Sequence, residues 1–516
     1  MKAYPKAKKE MVVEEHFGMT IKDPYRWMEN EKSEDLNTWL AEQNELTQTF
    51  LNGMPRKEEI NQRLKQLYNY PKYSTITAVG KKIIYSYNKG LQNQPVYYIQ
   101  EGFDTQAQVL IDPNTLSEDG TVSIFMNGHS KNNRYLAYLQ SQSGSDWHLL
   151  KVMDLETNEV LADTIEWVKF TWVAWYKDGF YYSGYDQPAE GKELSQQNKG
   201  MKVFYHKLGE TQSQDQLIYS DTQHPLRFNG VMVSEDEDYL ILVVSEGTYG
   251  SEFRIKRIDD KEGGFRTIFQ GFDNEYFFIG SSGQDLFFLT DKGAPNKKVV
   301  KVNATNLEIV DLIPETDQVL ENAWKFGDQI VTLYLQDVMA KLCLYNIKEQ
   351  MIKEVQMPGI GSVLEVAGDK QLDRILFSFG SFIAPLSLYT VDIAAGETKV
   401  FKESPLSFDP SQFITEQVFY ESKDGTKIPL FITRKKDIQR TGKNPTLLYA
   451  YGGFNISLTP DFNPAIIYLL ENGAVYAHAN LRGGGEYGEK WHKAGMHLNK
   501  QRVFDDFIAA AEYLID

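Results

Sequence analysis

The sequence predicts a mixed β and α/β protein, in which a short helical region and a seven-bladed β-propeller precede an α/β region. Aromatic residues make up 13% of the chain and fall in short alternating runs, which is typical of β-structure. Similar strand pairs recur along the middle of the chain. Near its end, glycine loops follow two apolar strands and precede a helix, as in α/β folds.

The first region, residues 1–72, is expected to be helical. Ser33 can cap a helix with apolar positions from Leu36 to Leu51, and Gly53 is well placed to end it. Pro55 suits the first turn of a second helix.

The second region, residues 73–405, contains seven similar strand pairs, each with a small polar turn. They begin at Ile76, Phe125, Trp172, Val231, Phe278, Trp324 and Glu365, 41 to 59 residues apart with a mean of about 48. Four-stranded propeller blades repeat at about 40–50 residues, so seven repeats predict a seven-bladed β-propeller. An irregular pair of β-sandwiches is the alternative, but regular spacing over this length is hard for a sandwich to produce.

The third region, residues 406–516, has an α/β pattern. A hairpin turns at Asp424-Gly425, and two strands in PTLLYAYGGF and GAVYAHANLRGGGEYG are expected to be buried before their glycines. The helix over 501–515 has its apolar side chains on one face. Because no strand or cap follows it, we expect the sequence to stop inside a domain.

Composition excludes several classes of function. A net charge of −17 disfavours binding to nucleic acid or to an anionic membrane. No run of residues approaches 18 consecutive apolar positions, and the basic N-terminus lacks the apolar segment of a signal peptide. The single cysteine, Cys343, cannot form an internal disulfide, so we expect a reducing, cytoplasmic location.

No cofactor or metal is expected from the motifs. Gly483, Gly485 and Gly488 fit the dinucleotide pattern G-x-G-x-x-G, but the clear helix is expected only near residue 501, too late to meet a pyrophosphate. A tight turn that lets loops pass closely is the favoured interpretation. His492 and His497 are five residues apart and lack the spacing of a metal site.

The sequence offers no obvious nucleophile. No G-x-S-x-G motif occurs, the Gly280–Gly283 segment falls in a predicted propeller turn, and Cys343 lies in an alternating strand where a packed thiol is expected. The segment Tyr449–Asn455 carries more information, because glycines after an early strand can bring an oxyanion donor close to a substrate and a tyrosine hydroxyl can be that donor. From the residue types alone, an ordinary turn at the end of a strand, with two tyrosines in the core, is an equally good interpretation of this segment.

The chain as a whole resembles the prolyl oligopeptidase family of serine peptidases. The motifs that carry the resemblance are DPYRW at 23–27, QN at 43–44, YPKY at 70–73, GLQNQ at 90–94, DPN at 112–114, SGSDW at 143–147, TDKGAPN at 290–296, SKDGTKIP at 422–429, YGGFNIS at 451–457 and RGGGEYG at 482–488. The resemblance implies a seven-bladed propeller inserted into an α/β-hydrolase domain. It also implies cleavage of short peptides after proline by a Ser-Asp-His triad, with N-terminal residues 1–72 packing on the hydrolase domain.

The resemblance also assigns site residues. It makes Tyr451 the side-chain oxyanion donor, Phe454 an aromatic wall of the proline pocket and Phe170 a propeller residue that faces the substrate cavity. Thr248 stands where some relatives carry a reactive cysteine, so inhibition by thiol reagents at this position is not expected.

The serine elbow and the triad aspartate and histidine of the family have no counterpart in the sequence, so we expect residues 406–516 to be an incomplete hydrolase domain and the chain to be inactive alone. The partners implied are short proline-containing peptides, with a monomeric state for the complete protein and no nucleic acid, membrane or cofactor. Two alternatives remain: a non-catalytic propeller that binds peptides or a partner protein, and one half of a split enzyme with a complementing C-terminal fragment.

Overall fold

The computed structural model describes residues 3–30, 33–193, 196–260, 262–348 and 351–516. These residues divide into two compact units, Met1–Gln66 and Leu67–Asp516. Within the described ranges, no helix combines the length and apolar character needed to cross a membrane.

The N-terminal unit holds a β-hairpin as well as helices. Its elements are β1 (Val12–His16), β2 (Met19–Asp23) and α1 (Glu34–Asn52), followed by α2 (Lys57–Tyr68). Ser33 and Gly53 cap α1 as predicted, with the Leu36 amide 3.5 Å from Ser33 Oγ. The hairpin corrects the expectation of a purely helical start, because Phe17 and Gly18 both adopt positive φ, at 52° and 76°, and form a tight two-residue turn. Pro55 precedes α2 rather than lying in its first turn.

Seven four-stranded antiparallel sheets follow in the described part of the chain, each built from consecutive strands. We call them blades 1 to 7. Blade 1 consists of β3 (Lys72–Val79), β4 (Lys82–Asn88), β5 (Val96–Glu101) and β6 (Gln108–Ile111), and blade 2 of β7 (Val122–His129), β8 (Tyr135–Gln142), β9 (His148–Asp154) and β10 (Glu159–Val168). Blade 3 consists of β11 (Ala174–Tyr176), β12 (Gly179–Gly184), β13 (Lys202–Lys207) and β14 (Gln216–Ser220), and blade 4 of β15 (Phe228–Val233), β16 (Tyr239–Ser245), β17 (Glu252–Arg257) and β18 (Arg266–Phe269).

Blades 5 to 7 repeat the same pattern. Blade 5 consists of β19 (Tyr276–Ser282), β20 (Asp285–Thr290), β21 (Lys298–Asn303) and β22 (Ile309–Ile313). Blade 6 consists of β23 (Val319–Phe326), β24 (Gln329–Gln336), β25 (Met339–Asn346) and β26 (Met351–Glu354). Blade 7 consists of β27 (Ser362–Ala367), β28 (Arg374–Ser381), β29 (Ala384–Asp392) and β30 (Thr398–Lys402). Each predicted repeat covers the first two strands of one blade, which confirms the seven-bladed propeller and rejects the sandwich alternative.

Apolar clusters between neighbouring blades hold the ring together, and one of them joins the last blade to the first. At that closing seam, Ile76 of blade 1 packs with Leu376 of blade 7. The Ile76 amide donates to Glu365 Oε2 at 2.7 Å, and the Gly80 amide donates to Asp369 Oδ2 at 3.1 Å. No strand is shared between blades 1 and 7 within the described ranges, so side-chain packing and these polar contacts close the ring.

A buried histidine links blades 2 and 3. His206 of β13 is fully buried, with Nδ1 2.6 Å from Asp215 Oδ1 and Nε2 3.1 Å from Asp163 Oδ1 of β10. Burial alone would lower the pKa of this imidazole, but hydrogen bonds to the two carboxylates outweigh burial and raise the pKa above its ordinary value. The protonated ring can therefore donate to both blades at once.

The α/β region contains a mixed four-stranded sheet in the order β31-β32-β34-β33. Its strands are β31 (Phe413–Glu421), β32 (Lys427–Lys435), β33 (Thr446–Tyr449) and β34 (Val475–Ala479), and β33 runs parallel to β34. The predicted turn at Asp424-Gly425 joins β31 and β32. β34 is buried as predicted, but β33 is not, because it lies at the sheet edge with Leu447 43% and Tyr449 47% exposed.

Three helices accompany this sheet: α3 (Pro464–Glu471), α4 (Gly488–Ala494) and α5 (Gln501–Ile515). The bounds of α5 match the prediction. Val503 and Ala510 pack against Leu430 and Ala477 of the sheet, whereas Ile508 on α5 is 53% exposed.

A buried ion pair joins α5 to the sheet. Arg482, just after β34, donates from Nη2 to Asp506 Oδ1 at 2.5 Å and from Nη1 to Asp424 Oδ2 at 2.6 Å. Asp506 is fully buried and also accepts a hydrogen bond from the Ser422 hydroxyl at 2.5 Å. One guanidinium thus connects the end of β34, helix α5 and the β31–β32 turn.

The His206 contacts predict a pH-dependent contribution to propeller stability. Because the folded-state pKa is raised, this contribution is present below the ordinary histidine pKa of about 6.5 and is lost as pH rises through the folded-state value. We expect His206→Asn to reduce the fall in melting temperature between pH 6 and pH 8.5, followed by tryptophan fluorescence. The exposed His224, changed to Asn, is the matched control; identical profiles for wild type and His206→Asn would contradict the assignment.

The Arg482 network predicts a large effect of Asp506→Ala. The substitution leaves a buried guanidinium with one carboxylate fewer, and breaking a buried pair costs about 3–5 kcal/mol. Hydrogen exchange of the β32 and β34 amides should accelerate strongly, while exchange in the propeller is unchanged. Asp505→Ala, one residue away and only half-buried, is the control; equal exchange in both variants would show that the network does not hold the sheet.

Candidate functional site

The loop that follows β33 presents two aromatic rings in a strained backbone. Tyr451 and Phe454 are 45% and 79% exposed, and their ring centroids lie 6.4 Å apart in a stacked arrangement. Gly452, Phe454 and Asn455 have φ values of 63°, 55° and 57°. A left-handed conformation is costly for a bulky residue such as Phe and clusters at functional sites.

Glycines allow this loop to pack directly on the segment after β34. A Cβ atom on Gly452 would lie 2.6 Å from Val503 Cγ1, and one on Gly483 would lie 2.7 Å from the Gly452 carbonyl oxygen. A Cβ on Gly495 would fall 2.5 Å from the Gly483 amide nitrogen. The tight-turn interpretation of the G-x-G-x-x-G pattern is therefore confirmed.

Helix α4, which the sequence did not predict, begins at the last glycine of that pattern, Gly488, whereas the helix expected near residue 501 is α5. The N-terminal end of α4 leaves no room for a pyrophosphate. The Glu489 amide donates to the Pro295 carbonyl at 3.0 Å, and a Cβ on Gly488 would lie 2.6 Å from the same oxygen. Blade 5 thus occupies the position that a dinucleotide would need.

A buried carboxyl group supports the far end of the loop. Glu486 is 2% exposed, and its Oε1 accepts hydrogen bonds from the Leu458 amide at 3.1 Å and from Asn480 Nδ2 at 3.2 Å. Asn480 Nδ2 also donates to the Leu458 carbonyl at 2.6 Å. Burial raises the pKa of Glu486 to about 7, so this carboxyl is partly protonated near neutral pH.

Phe170 lies in the propeller, just after β10, and is also strained. Its φ is 54°, its side chain is 56% exposed, and its ring meets Phe228 edge-on at 5.8 Å. Lys169 Nζ lies 5.4 Å from the Phe170 ring centroid and 3.2 Å from Asp146 Oδ2. Phe170 is therefore an exposed ring on a fixed support, like Phe454.

A cavity of about 430 Å³ opens beside this part of the propeller. It is lined mainly by apolar and aromatic side chains of blades 3 to 5, among them Trp172, Met232 and Phe277. Thr248 is part of its wall, so this position offers a hydroxyl group and no thiol. Trp172 is fixed there by donating from Nε1 to the Val231 carbonyl at 2.7 Å.

Cys343 and Ser281, whose residue types can act as nucleophiles, are both buried within strands of the propeller. Cys343 is 5% exposed in β25, and burial raises the pKa of its thiol to about 11. Ser281 is 2% exposed in β19, and its hydroxyl accepts a hydrogen bond from the Glu235 amide at 2.7 Å. The packed-thiol prediction for Cys343 is confirmed.

The structure brings Tyr451 and Phe454 together and places Phe170 elsewhere. No ring contact within the described ranges joins Phe170 to either loop ring. Four residues that support the loop have no signal in the sequence: Asn480, Glu486, Lys500 and His492, whose spacing from His497 bears only on a metal site. All four bind backbone atoms, which leave no spacing pattern in a sequence.

Family models match most of the chain. The model described as "Prolyl oligopeptidase, N-terminal beta-propeller domain" matches residues 4–404, and the model described as "Prolyl oligopeptidase family" matches residues 460–516. Tyr451 and Phe454 lie between the two matched ranges.

Individual relatives extend across that gap. The prolyl endopeptidase of Elizabethkingia meningoseptica is 39% identical over 515 residues, which is 99% of this chain and 73% of that protein. A structure from a study of two prolyl endopeptidases and their inter-domain dynamics superposes with a TM-score of 0.90 at 33% identity, covering 99% of this chain and 76% of that one. Prolyl oligopeptidase B of Galerina marginata, bound to a 35-residue hydrolysis and macrocyclization substrate, superposes with the same TM-score at 28% identity and the same coverage. The chain belongs to the prolyl oligopeptidase family.

Proposed function

We propose that this chain supplies the substrate chamber, the oxyanion donor and part of the proline pocket of a serine oligopeptidase that cleaves short peptides on the C-terminal side of proline. The observation that carries the proposal is the pair of exposed rings, Tyr451 and Phe454, on a strained loop at the end of β33. The similarity to prolyl endopeptidases and to a prolyl oligopeptidase supports the proposed substrate class.

Tyr451 has the chemistry of an oxyanion donor. Its hydroxyl has no hydrogen-bond partner among the residues that the structure describes, and the side chain is 45% exposed. A fixed O–H donor stabilises the negative charge that develops on a carbonyl oxygen during acyl transfer. Gly452, the next residue, lets the loop backbone pack against the segment at the end of β34, and this packing fixes the point from which the Tyr451 side chain extends.

Phe454 suits the recognition of proline. A proline ring is compact and apolar, so it packs well on an exposed aromatic face, and burial of both surfaces favours binding. Phe170 and the 430 Å³ cavity beside it would contact other positions of the peptide. The apolar lining fits short, largely uncharged peptide segments rather than an extended anionic chain.

The covalent step needs groups that these 516 residues do not offer. None of their serines lies in a G-x-S-x-G sequence, and a serine mechanism also needs a base and an orienting carboxylate. We propose that the nucleophile and its partners come from a complementary α/β segment. The exposed edge at Leu447 and Tyr449 and the exposed α5 side chains Phe504, Ile508 and Ile515 support this proposal, because such surfaces are normally covered.

Location and assembly belong to the same proposal. A buried, unpaired thiol at Cys343 fits a reducing, cytoplasmic compartment. We propose a monomer for the complete protein, with proline-containing peptides as its partners. A peptide-binding propeller without catalysis is the alternative outcome of the test below.

The test compares the recombinant 516-residue chain with the protein isolated from its natural source by an antibody to the propeller. We expect the natural protein to hydrolyse a Gly-Pro-aminomethylcoumarin reporter and to react with a fluorophosphonate serine probe, and the recombinant chain to do neither. Serine-dependent hydrolysis by the recombinant chain would overturn its proposed inactivity. A natural protein that binds the peptide without cleaving it would support the alternative.

Phe454→Ala in the active protein should reduce the preference for proline over alanine. Loss of one apolar pocket contact corresponds to about 1–3 kcal/mol of discrimination. The measurement is the ratio of kcat/KM for Gly-Pro and Gly-Ala reporters. Phe419→Ala, which removes a 45% exposed ring on β31, is the matched control; an unchanged ratio in Phe454→Ala would contradict the pocket assignment.

A further inference from the structure

Two side chains hold the strained loop from the side of α4 and α5. Lys500 Nζ, just before α5, donates to the Gly452 carbonyl at 2.6 Å. His492 Nδ1, on α4, lies 3.1 Å from the Asn455 amide nitrogen and 2.8 Å from the Gly483 carbonyl oxygen. The two contacts fall on either side of Phe454, at the residues whose φ values are 63° and 57°.

His492 can hold the loop in either protonation state of Nδ1. Without a proton, Nδ1 accepts a hydrogen bond from the Asn455 amide. With a proton, it donates to the Gly483 carbonyl, which lies 3.2 Å from the Asn455 amide and can accept from it too. The imidazole therefore bonds the loop directly in the first state, whereas in the second it holds the Gly483 carbonyl, to which the Asn455 amide of the loop donates.

The position of His492 is itself fixed by backbone contacts. The Gly483 amide donates to the Trp491 carbonyl at 3.0 Å, and Trp491 Nε1 donates to the Leu481 carbonyl at 3.0 Å. Gly495, just after α4, packs on the Gly483 amide with no room for a Cβ atom. Helix α4 is thus a rigid base from which His492 reaches the loop.

A strained backbone persists only where its surroundings determine it. The left-handed conformation is unfavourable for a bulky residue such as Phe454, so the loop would relax there without outside contacts. The two side-chain hydrogen bonds lie at the ends of the strained segment. They therefore act where relaxation would turn Tyr451 and Phe454 away from each other.

We propose that His492 and Lys500 are positioning residues, which fix the loop Tyr451–Asn455 in the conformation that recognises the peptide. Neither is assigned a contact with the peptide or with the reacting atoms. The recognition part rests on the proposed function of Tyr451 and Phe454, whereas the conformational part concerns this chain alone.

The conformational test uses the 516-residue chain with 4-fluorophenylalanine at position 454 and ¹⁹F NMR. We expect one narrow resonance in the wild type. His492→Leu and Lys500→Met should broaden it at least twofold or split it, because Phe454 then samples several orientations. Asn at 492 offers a donor and an acceptor on one amide, and Arg at 500 keeps a donor, so His492→Asn and Lys500→Arg should restore the narrow signal.

Matched controls separate a positioning role from a general loss of structure. His497→Asn and Lys490→Met change exposed residues of the same types nearby and should leave the resonance unchanged. Circular dichroism checks that each variant is folded. If one of the substitutions at His492 and Lys500 unfolds the chain, the spectrum of the variant at the other residue tests the proposal. Wild-type spectra from folded His492→Leu and Lys500→Met would overturn the proposal.

A titration with the peptide acetyl-Gly-Pro-amide tests the recognition part. In the wild type, acetyl-Gly-Pro-amide should shift the resonance more than acetyl-Gly-Ala-amide does. The affinity for acetyl-Gly-Pro-amide should fall roughly tenfold in His492→Leu and Lys500→Met and recover in His492→Asn and Lys500→Arg. Altered variant spectra without any peptide response in the wild type would refute the proposed function and leave the anchoring intact. Equal peptide affinities in all folded variants would refute the role in recognition.

Discussion

Arg482 is the residue through which the sheet, the last helix and the glycine loops are connected. Its guanidinium binds Asp506 of α5 and Asp424 of the β31–β32 turn, and its backbone leads directly into Gly483. Burying such a pair gains little net stability, because desolvation offsets most of the attraction. Its effect is geometric: it sets where Gly483 lies, and Gly483 in turn packs against Gly452 beside Tyr451.

Both parts of the chain that bear candidate substrate contacts combine an exposed ring with a left-handed backbone. This holds for Phe170 in the propeller and for Phe454 in the α/β region. Each such residue costs about 1–3 kcal/mol, which the surrounding packing must offset. Lys169 and Phe228 surround Phe170, whereas backbone contacts through glycines surround the loop of Phe454. A peptide would thus meet aromatic surfaces whose orientation is set before it arrives.

Much of the fold follows from local sequence signals. The seven blades could be predicted because alternation and polar turns are encoded within each hairpin, and α5 because its apolar period is unbroken. The β1–β2 hairpin could not be predicted because the first residue of its turn is Phe17, where Asn, Asp or Gly is usual, although Gly18 follows it. The exposure of β33 could not be predicted, since it depends on which strands lie beside it. Tyr451 and Phe454 share one motif, from which the sequence predicts both, but His492, Lys500 and Glu486 bind backbone atoms of distant segments and have no recognisable spacing.

The seam between blades 1 and 7 has a different temperature response from the blades themselves. Within a blade, each strand is held by a ladder of backbone hydrogen bonds, whereas the seam depends on the packing of Ile76, Leu376 and their neighbours and on few polar contacts. Apolar association weakens on cooling, while hydrogen-bonded ladders do not share that dependence. Chilling the protein is therefore expected to loosen the apolar junctions between blades before the blades themselves, and the seam between blades 1 and 7 is the junction at which the chain does not run directly from one blade to the next.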